Sequence, residues 1–547
     1  MRRIPPSAYS FLLALVSAAT AAIGQTTTRV SVTASGAQLP NPSVWGAISG
    51  DGRYAAFVSL DALLPSDTNN TTDVYVRELA TGVVRRVSVT PAGVQPNDAC
   101  FDPVLSDDGR FIAFGSWATN LAPSDNNGAM GNDIFVRDMQ TGALQHVSKN
   151  AAGAGGNGIS AYHDMSGNGR FVTFYSYSTN LVPNDPDTSQ DTYLVDRTTG
   201  QIQCLSVDPV SGQAAGGGEA SLSDDGRFVA FKTWAPLFGA PATTIALLDR
   251  QTGSVVCVPL QGGQPMHAFG AQMSGDGRTV LFESPFSFDP LDTDFFADVY
   301  SYDVATATRR LVSVAPSPGL TAACSLAAAS DDARYVVFTT EDSYLPVDTN
   351  TFFDSYVIDT ATNSLELVTR GNGGQSGNDT ARVAGMSDNG RRCVFGSGAT
   401  NLVPNDTNSA LDVFVRDRAV AAGQVAYGAG LAGTGGLVPG IALLGEPVIG
   451  TAPVLGVANN TGAPAGVVVV LGMNPVSLPT PLLGTLLVSP DATSLVITPA
   501  PALLLPIPIP DQFSLNGVHV YLQALVLDPG APAGVAFTRG LDLTIGG

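Results

Sequence analysis

Five times the chain spaces acids as Asp-x-(Asn/Asp)-x-x-x-Asp: at Asp67/Asn69/Asp73, Asp185/Asp187/Asp191, Asp292/Asp294/Asp298, Asp348/Asn350/Asp354 and Asp406/Asn408/Asp412. A version two residues longer runs Asp125/Asn127/Asp133. Hard oxygen donors at alternate positions of a turn suit Ca2+, so calcium is the cofactor this spacing anticipates. The position twelve from each start is acidic too (Glu78, Asp196, Asp303, Asp359, Asp417), which imitates an EF-hand. The imitation fails on reach. Positions 7 to 12 read as a strand, so at about 3.3 Å per residue the last carboxylate stands roughly 17 Å from the first ligands. The competing reading is that Asp and Asn cap their own turns through side chain to backbone hydrogen bonds.

Nucleophilic chemistry finds little support. No Gly-x-Ser-x-Gly elbow is present, which excludes an α/β-hydrolase site. Of the four histidines, His146 and His519 fall away from any cleft, while His163 and His267 fall on strands that could line a channel. No residue is assigned as catalytic. The five cysteines (Cys100, Cys204, Cys257, Cys324, Cys393) fit no zinc spacing and read as apolar fillers. Recurring Gln38/Asn41, Gln95/Asn97 and Gln375/Asn378, with Trp45, Trp117 and Trp234, outline a polar, aromatic rim suited to carbohydrate or peptide, or to solvent alone.

What must position these residues is a repeat. The pattern Ser-x-(Asp/Asn)-Gly-Arg starts at Ser49, Ser106, Ser166, Ser223, Ser274, Ser330 and Ser387, with Ala333 in one Gly slot, at steps of 57, 60, 57, 51, 56 and 57 residues. A fixed period of this length signals stacked supersecondary units. In the second copy, apolar Ala99–Leu105 precedes an Asp108-Gly109 turn, and Phe111–Gly115, Ile134–Val136 and Gln145–Ser148 follow as strands. The Asp-Gly step reads as a two-residue hairpin turn. Four antiparallel strands repeated seven times predict a seven-bladed β-propeller. The last repeat lacks its fourth strand, but Arg29-Val30-Ser31-Val32 copies Arg86-Val87-Ser88-Val89. The N-terminal strand is therefore expected to complete the seventh blade beside Val413–Val415, removing an open edge. In every repeat the Arg after the turn should face the acid closing the third strand: Arg53–Glu78, Arg110–Asp138, Arg170–Asp196, Arg227–Asp249, Arg278–Asp303, Arg334–Asp359 and Arg391–Asp417.

Ser106-Asp107-Asp108-Gly109-Arg110-Phe111-Ile112-Ala113-Phe114 and Asp133-Ile134-Phe135-Val136-Arg137-Asp138 with Thr141-Gly142 resemble the TolB-like propeller repeat family, a relative of WD repeats. The resemblance covers residues 26–420. It implies the propeller fold, and a family made up mostly of binding proteins with some enzymes. It implies no role in the Tol–Pal system, since TolB's separate N-terminal domain has no room here. The ending Val518–Asp528 with Leu541–Gly546 is similar to C-terminal modules of secreted planctomycete-type bacterial proteins.

Composition sets the outer limits. A net charge of −21 over 547 residues offers no basic stripe for nucleic acid. Residues 1–24 read as a signal peptide, with Arg2 and Arg3 before the apolar run Phe11–Ile23. No later stretch has the roughly 20 apolar residues of a membrane span. The chain thus divides into a signal (1–24), a propeller (25–420), a Gly-rich linker (421–436) and an apolar β-sandwich module (437–547). The expected function is an exported, non-enzymatic propeller acting as a binding or scaffold module. It would take a protein or carbohydrate ligand on the propeller face, in a periplasmic, extracellular or cell-envelope setting. The alternatives are a secreted polysaccharide lyase or glycoside hydrolase, and an envelope structural component.

Overall fold

The computed structural model describes residues 25–418 except 126, 129–130, 235–243, 259–267, 316–319 and 321. Beyond 418 it describes the strands between residues 423 and 544 with residues 528, 531 and 538. The signal segment and His267 lie outside the described residues.

Seven four-stranded antiparallel sheets make up residues Thr26–Asp417. The second blade is typical: Cys100–Leu105, Phe111–Ser116, Asp133–Asp138 and Leu144–His146 pair in chain order. The two middle strands of each blade are apolar on both faces because each blade packs against its neighbours. At their centres Phe57/Tyr75, Phe114/Phe135, Phe174/Tyr193, Phe282/Tyr300, Phe338/Tyr356 and Phe395/Phe414 stack within their blades. The fourth blade has Phe231 opposite Ala246 instead. The seventh blade is Ala381–Met386, Arg392–Ser397 and Asp412–Asp417, completed by Thr26–Arg29. The Val30 amide continues that edge by donating to the Val413 carbonyl at 2.8 Å.

The recurrent Ser-x-(Asp/Asn)-Gly turn is wider than a two-residue hairpin. Ser106 and Phe111 close it, with Phe111 donating to Ser106 Oγ at 2.9 Å, Ser106 Oγ to Asp108 Oδ1 at 2.8 Å and Arg110 N to the same carboxylate at 2.9 Å. Gly109 alone turns left-handed, at φ 66°. Glycine has a second reason to stand there: a Cβ would lie 2.2 Å from the Tyr54 ring of the preceding blade. Gly169, Gly226 and Gly390 meet Phe111, Phe171 and Tyr335 in the same way. The corresponding residue before Ala333 is Thr279, which leaves space for a methyl group.

Six of the seven Arg–acid pairs form. Arg110, Arg170, Arg227 and Arg334 reach their partners at 2.7–3.0 Å, Arg391 reaches Asp417 at 2.6 Å and Arg53 reaches Glu78 at 3.5 Å. Arg278 departs from the pattern, lying 3.7 Å from Asp276 and well exposed. In five of the other blades the guanidinium rests over the aromatic ring of the next residue, as Arg110 does over Phe111 at 4.7 Å. Arg278 has Thr279 there and no ring to lie on.

The second unit is all-β as well. A six-stranded sheet includes Ala465–Gly472, His519–Leu527 and Gly540–Thr544, and a three-stranded one includes Val454–Ala458. Leu455 and Val457 of the small sheet share a core with Val467, Val469, Leu522, Ala524, Leu541 and Leu543 of the large one, which makes a sandwich. Gly423–Tyr427 belongs to this unit as a strand against Gly540–Thr544, inside the stretch read as a linker.

Candidate functional site

Strand direction sorts the propeller's connections into two ends. The Ser-x-(Asp/Asn)-Gly and Thr-Gly turns lie at one. The Asp loops and the blade-to-blade connections lie at the other.

At the loop end the six acid sets differ in their neighbours. In blade one Arg86 Nη1 sits 3.0 Å from Asp67 Oδ1 and 3.3 Å from Asp73 Oδ2, and Asn69 donates to Asp73 at 3.0 Å. In blade seven Arg29 takes the same place, 3.1 Å from Asp412 and 3.8 Å from Asp406. Asn408 turns to the Leu39 carbonyl at 2.7 Å. In blade two His146 Nε2 lies 3.1 Å from Asp133, and Asn127 donates to Asp133 at 3.1 Å. The outer-strand position of these three residues is Cys204 in blade three, Leu311 in blade five and Leu367 in blade six. Blade six keeps Asp348 and Asp354 with Asn350 donating to Asp354 at 2.8 Å, and burial pushes the Asp354 carboxyl up to about 7. Blades three and five carry a third acid, and one oxygen from each of Asp185, Asp187 and Asp191 lies within 4.8 Å of the others, as do those of Asp292, Asp294 and Asp298. The separate Gln and Asn residues are latches between loops: Gln38 donates to Asp406 at 2.7 Å, Gln95 receives Thr68 N at 2.8 Å, and Asn378 binds Thr400 at 3.0 Å.

Nearer the channel lies an aromatic arc. Trp117, Tyr177 and Trp234 occupy one equivalent position, just past the second strand of blades two, three and four, and all three are exposed. Each amide bonds the carbonyl preceding its innermost strand, at Ala99, Ile159 and Gly216. The innermost strands all carry a register shift, between Val44/Ala47, Phe101/Val104 and Ala161/Asp164 in the first three blades. At these bulges Trp45, Asp102 and Tyr162 adopt φ of 49°, 50° and 47°, a left-handed conformation that side chains avoid without a reason. Trp45 and Tyr162 are more than half exposed. Trp45, Phe101 and Trp117 pack in series at 6.1 and 5.1 Å, and Tyr162, Tyr175 and Tyr177 at 5.3 and 6.0 Å. Lys232 lies 4.2 Å over Trp234. Burial raises the Asp102 carboxyl, and burial first, with Asp102 and Glu219 among its charged neighbours, raises Tyr175 to about 12. His163, next to Tyr162, is buried, and burial holds its pKa down to about 4.

The turn end narrows onto four carboxyls. Asp107, Asp224, Asp331 and Asp388 follow the turn Ser in four blades, and Gly50, Gly167 and Gly275 replace them in the others. A Cβ on Gly275 would lie 2.3 Å from Asp331 and 2.6 Å from Asp224, and one on Gly167 would lie 2.1 Å from Asp107. The glycines thus leave space for carboxyls from neighbouring blades. Burial first, then the other aspartates, drives Asp107, Asp331 and Asp388 well above the usual carboxylate range. The backbone links the same residues blade to blade, with Asp107 N to Gly167 O at 2.9 Å and Asp388 N to Gly50 O at 2.9 Å.

Sequence reasoning named the Asp sets and Trp45, Trp117 and Trp234. It missed Arg29, Arg86 and His146 as partners of the acids, the bulge residues Asp102 and Tyr162, and the four turn-end aspartates. The alternation of Asp and Gly after the turn Ser was the available signal for the last group.

No family model matches the chain, and no curated protein matches it. Solved structures do. A TolB-type protein of Agrobacterium tumefaciens aligns at 18% identity over 50% of this chain and 81% of its own, with a TM-score of 0.32. The β-propeller domain of the Trilobed protease from Pyrococcus furiosus aligns at 12% over 69% and 93%, with 0.43. The WD40 repeats of RRP9 align at 10% over 72% and 97%, with 0.39. The seven four-stranded antiparallel sheets and the repeated turn make this chain a seven-bladed β-propeller.

Proposed function

We propose that the protein is an exported binding module that holds a neutral polysaccharide along the loop end of its propeller. The carrying observation is the arc of exposed rings at Trp45, Trp117, Tyr162, Tyr177 and Trp234, two of them set on left-handed bulges. A flat ring with a polar tip offers its face to the apolar C–H face of a sugar while its edge stays wet. An exposed aromatic cluster on an otherwise polar surface is the mark of a binding site. Gln190, which accepts the Tyr177 hydroxyl at 3.0 Å, and the acids Asp102 and Glu219 supply polar groups of the kind sugar hydroxyls bind. The net charge of −21 disfavours polyanionic chains, hence a neutral glycan.

Binding of the full chain to neutral polysaccharides by isothermal titration tests this. Trp117→Ala and Trp234→Ala should each weaken binding at least about tenfold, as loss of a central aromatic anchor does. Unchanged affinity in both, or no binding to any neutral glycan, rejects the proposal. The second reading, a glycan-cleaving enzyme, is favoured by Asp102, a raised carboxyl on a strained bulge beside the aromatics. Shortened products abolished by Asp102→Asn would select it.

A further inference from the structure

We propose that the third blade holds a hard divalent cation of the calcium class between Asp185, Asp187 and Asp191, and that the fifth blade repeats the site at Asp292, Asp294 and Asp298. The molecule supplies its own controls. Where two acids meet an asparagine, in blades one and seven, an arginine from the outer strand stands between the carboxylates at 3.0–3.8 Å. Where the asparagine becomes a third aspartate, the arginine's position is Cys204 or Leu311. Blade six keeps its asparagine with Leu367 in that position, so blades three and five are set apart by having a third aspartate and no arginine together. The extra negative charge comes with the loss of the built-in cation, which is the pattern expected if a mobile cation takes the arginine's place.

A second observation is independent of charge. Asp185 is 1% exposed, and its Oδ1 has no hydrogen-bond partner although Tyr193 donates to Oδ2. A buried carboxylate oxygen left without a donor is costly, so its persistence calls for a ligand. Asp191 spends Oδ1 on Ser206 and on the Gly216 amide at 2.7 and 3.0 Å, which fixes the carboxylate and leaves Oδ2 turned to Ser189 at 3.2 Å. Donor oxygens about 2.4 Å from a shared ion can stand up to about 4.8 Å apart, and both sets lie within 4.8 Å. The site does not need the Cys204 thiol, because blade five assembles the same three acids beside Leu311. All-oxygen donors on a loop, with room for water or carbonyls, favour calcium over magnesium, which demands tighter octahedral geometry.

The test is calcium titration of the chelator-washed full chain by calorimetry. Two sites are expected, with magnesium at least about tenfold weaker. Asp187 is exposed, so Asp187→Asn folds, and it should reduce the stoichiometry to one; adding Asp294→Asn should abolish binding. Cys204→Arg, which restores the arginine of blades one and seven without touching any acid, should also reduce it to one. Absence of calcium binding by the wild-type chain overturns the proposal, as does a stoichiometry of two in both Asp187→Asn and Cys204→Arg. Equal magnesium affinity overturns the calcium assignment.

Discussion

The two ends of the propeller are built on opposite rules. At the turn end every blade repeats the same hydrogen-bonded turn, and each turn rests on a residue of the blade before it. At the loop end the blades share a plan but differ in what fills it: arginine, histidine, thiol or leucine behind the acids, and Trp, Tyr or Trp in the aromatic arc. Sameness at one end serves ring assembly. Difference at the other end is where a ligand can be selected, because a residue copied into every blade cannot mark one place on the ring.

Gly109→Ala attacks the uniform end most directly. The left-handed backbone and the Tyr54 ring 2.2 Å from the new methyl should together cost about 4 kcal/mol in denaturant melts. If contact with the ring is the cause, Tyr54→Thr, which copies the Thr279–Ala333 pair, should couple favourably with it by about 1–2 kcal/mol in a double-mutant cycle. Additive losses would mean that backbone strain alone explains the glycine.

His163 lies between the two ends. Its folded pKa of about 4 is below the unfolded value of about 6.5, so the unfolded chain binds more protons across that window. Stability should fall as pH drops from 6.5 towards 4, by about 3 kcal/mol from this group. His163→Leu should flatten that part of the stability profile, and an unchanged slope would show that the ring protonates freely in the folded state.

The turn-end carboxyls give the opposite sign. The folded pKa values of Asp107, Asp331 and Asp388 are raised, so the stability these groups support is present in acid and is lost as pH rises past about 3.8. Asp331→Asn should therefore raise Tm at pH 7 by about 3–5 °C, with the gain vanishing near pH 3.5. A lower Tm at pH 7 would mean that the carboxyl is held by something other than its acid neighbours.

The smallest effect on stability is expected at the ligand end. Tyr162→Gly relieves a left-handed φ and should be neutral or stabilising by up to about 1 kcal/mol, while glycan affinity falls. A large loss of stability would make Tyr162 a packing residue and take it out of the proposed binding surface.

The contrast also explains what could be read from sequence. Turns, blade number and the six Arg–acid pairs were legible because each is written seven times at one period. Arg278 departs from the repeat, lying 3.7 Å from Asp276 instead of against Asp303. The neutralising role of Arg86 was hidden because it joins the acids across a strand pair, 13 residues after Asp73 and 19 after Asp67. The bulges at Trp45, Asp102 and Tyr162 left no mark, since an extra residue in a short strand does not alter its composition.

Thr26–Arg29 pairing with Asp412–Asp417 has a consequence for the order of events during synthesis. Each of the first six blades can pair its strands locally once its own stretch has emerged. The seventh cannot, because its outer strand is made first and its inner ones some 350 to 390 residues later. Until then Thr26–Arg29 is a strand without a sheet, and the nascent ring is open at both ends. That long-range step should be slow relative to the local hairpins, so a holding factor or a delay in translation would have its clearest effect there. The same seam is where a pull on the N-terminus would open the ring first: one four-residue strand would peel away while the six other blades keep all their strands.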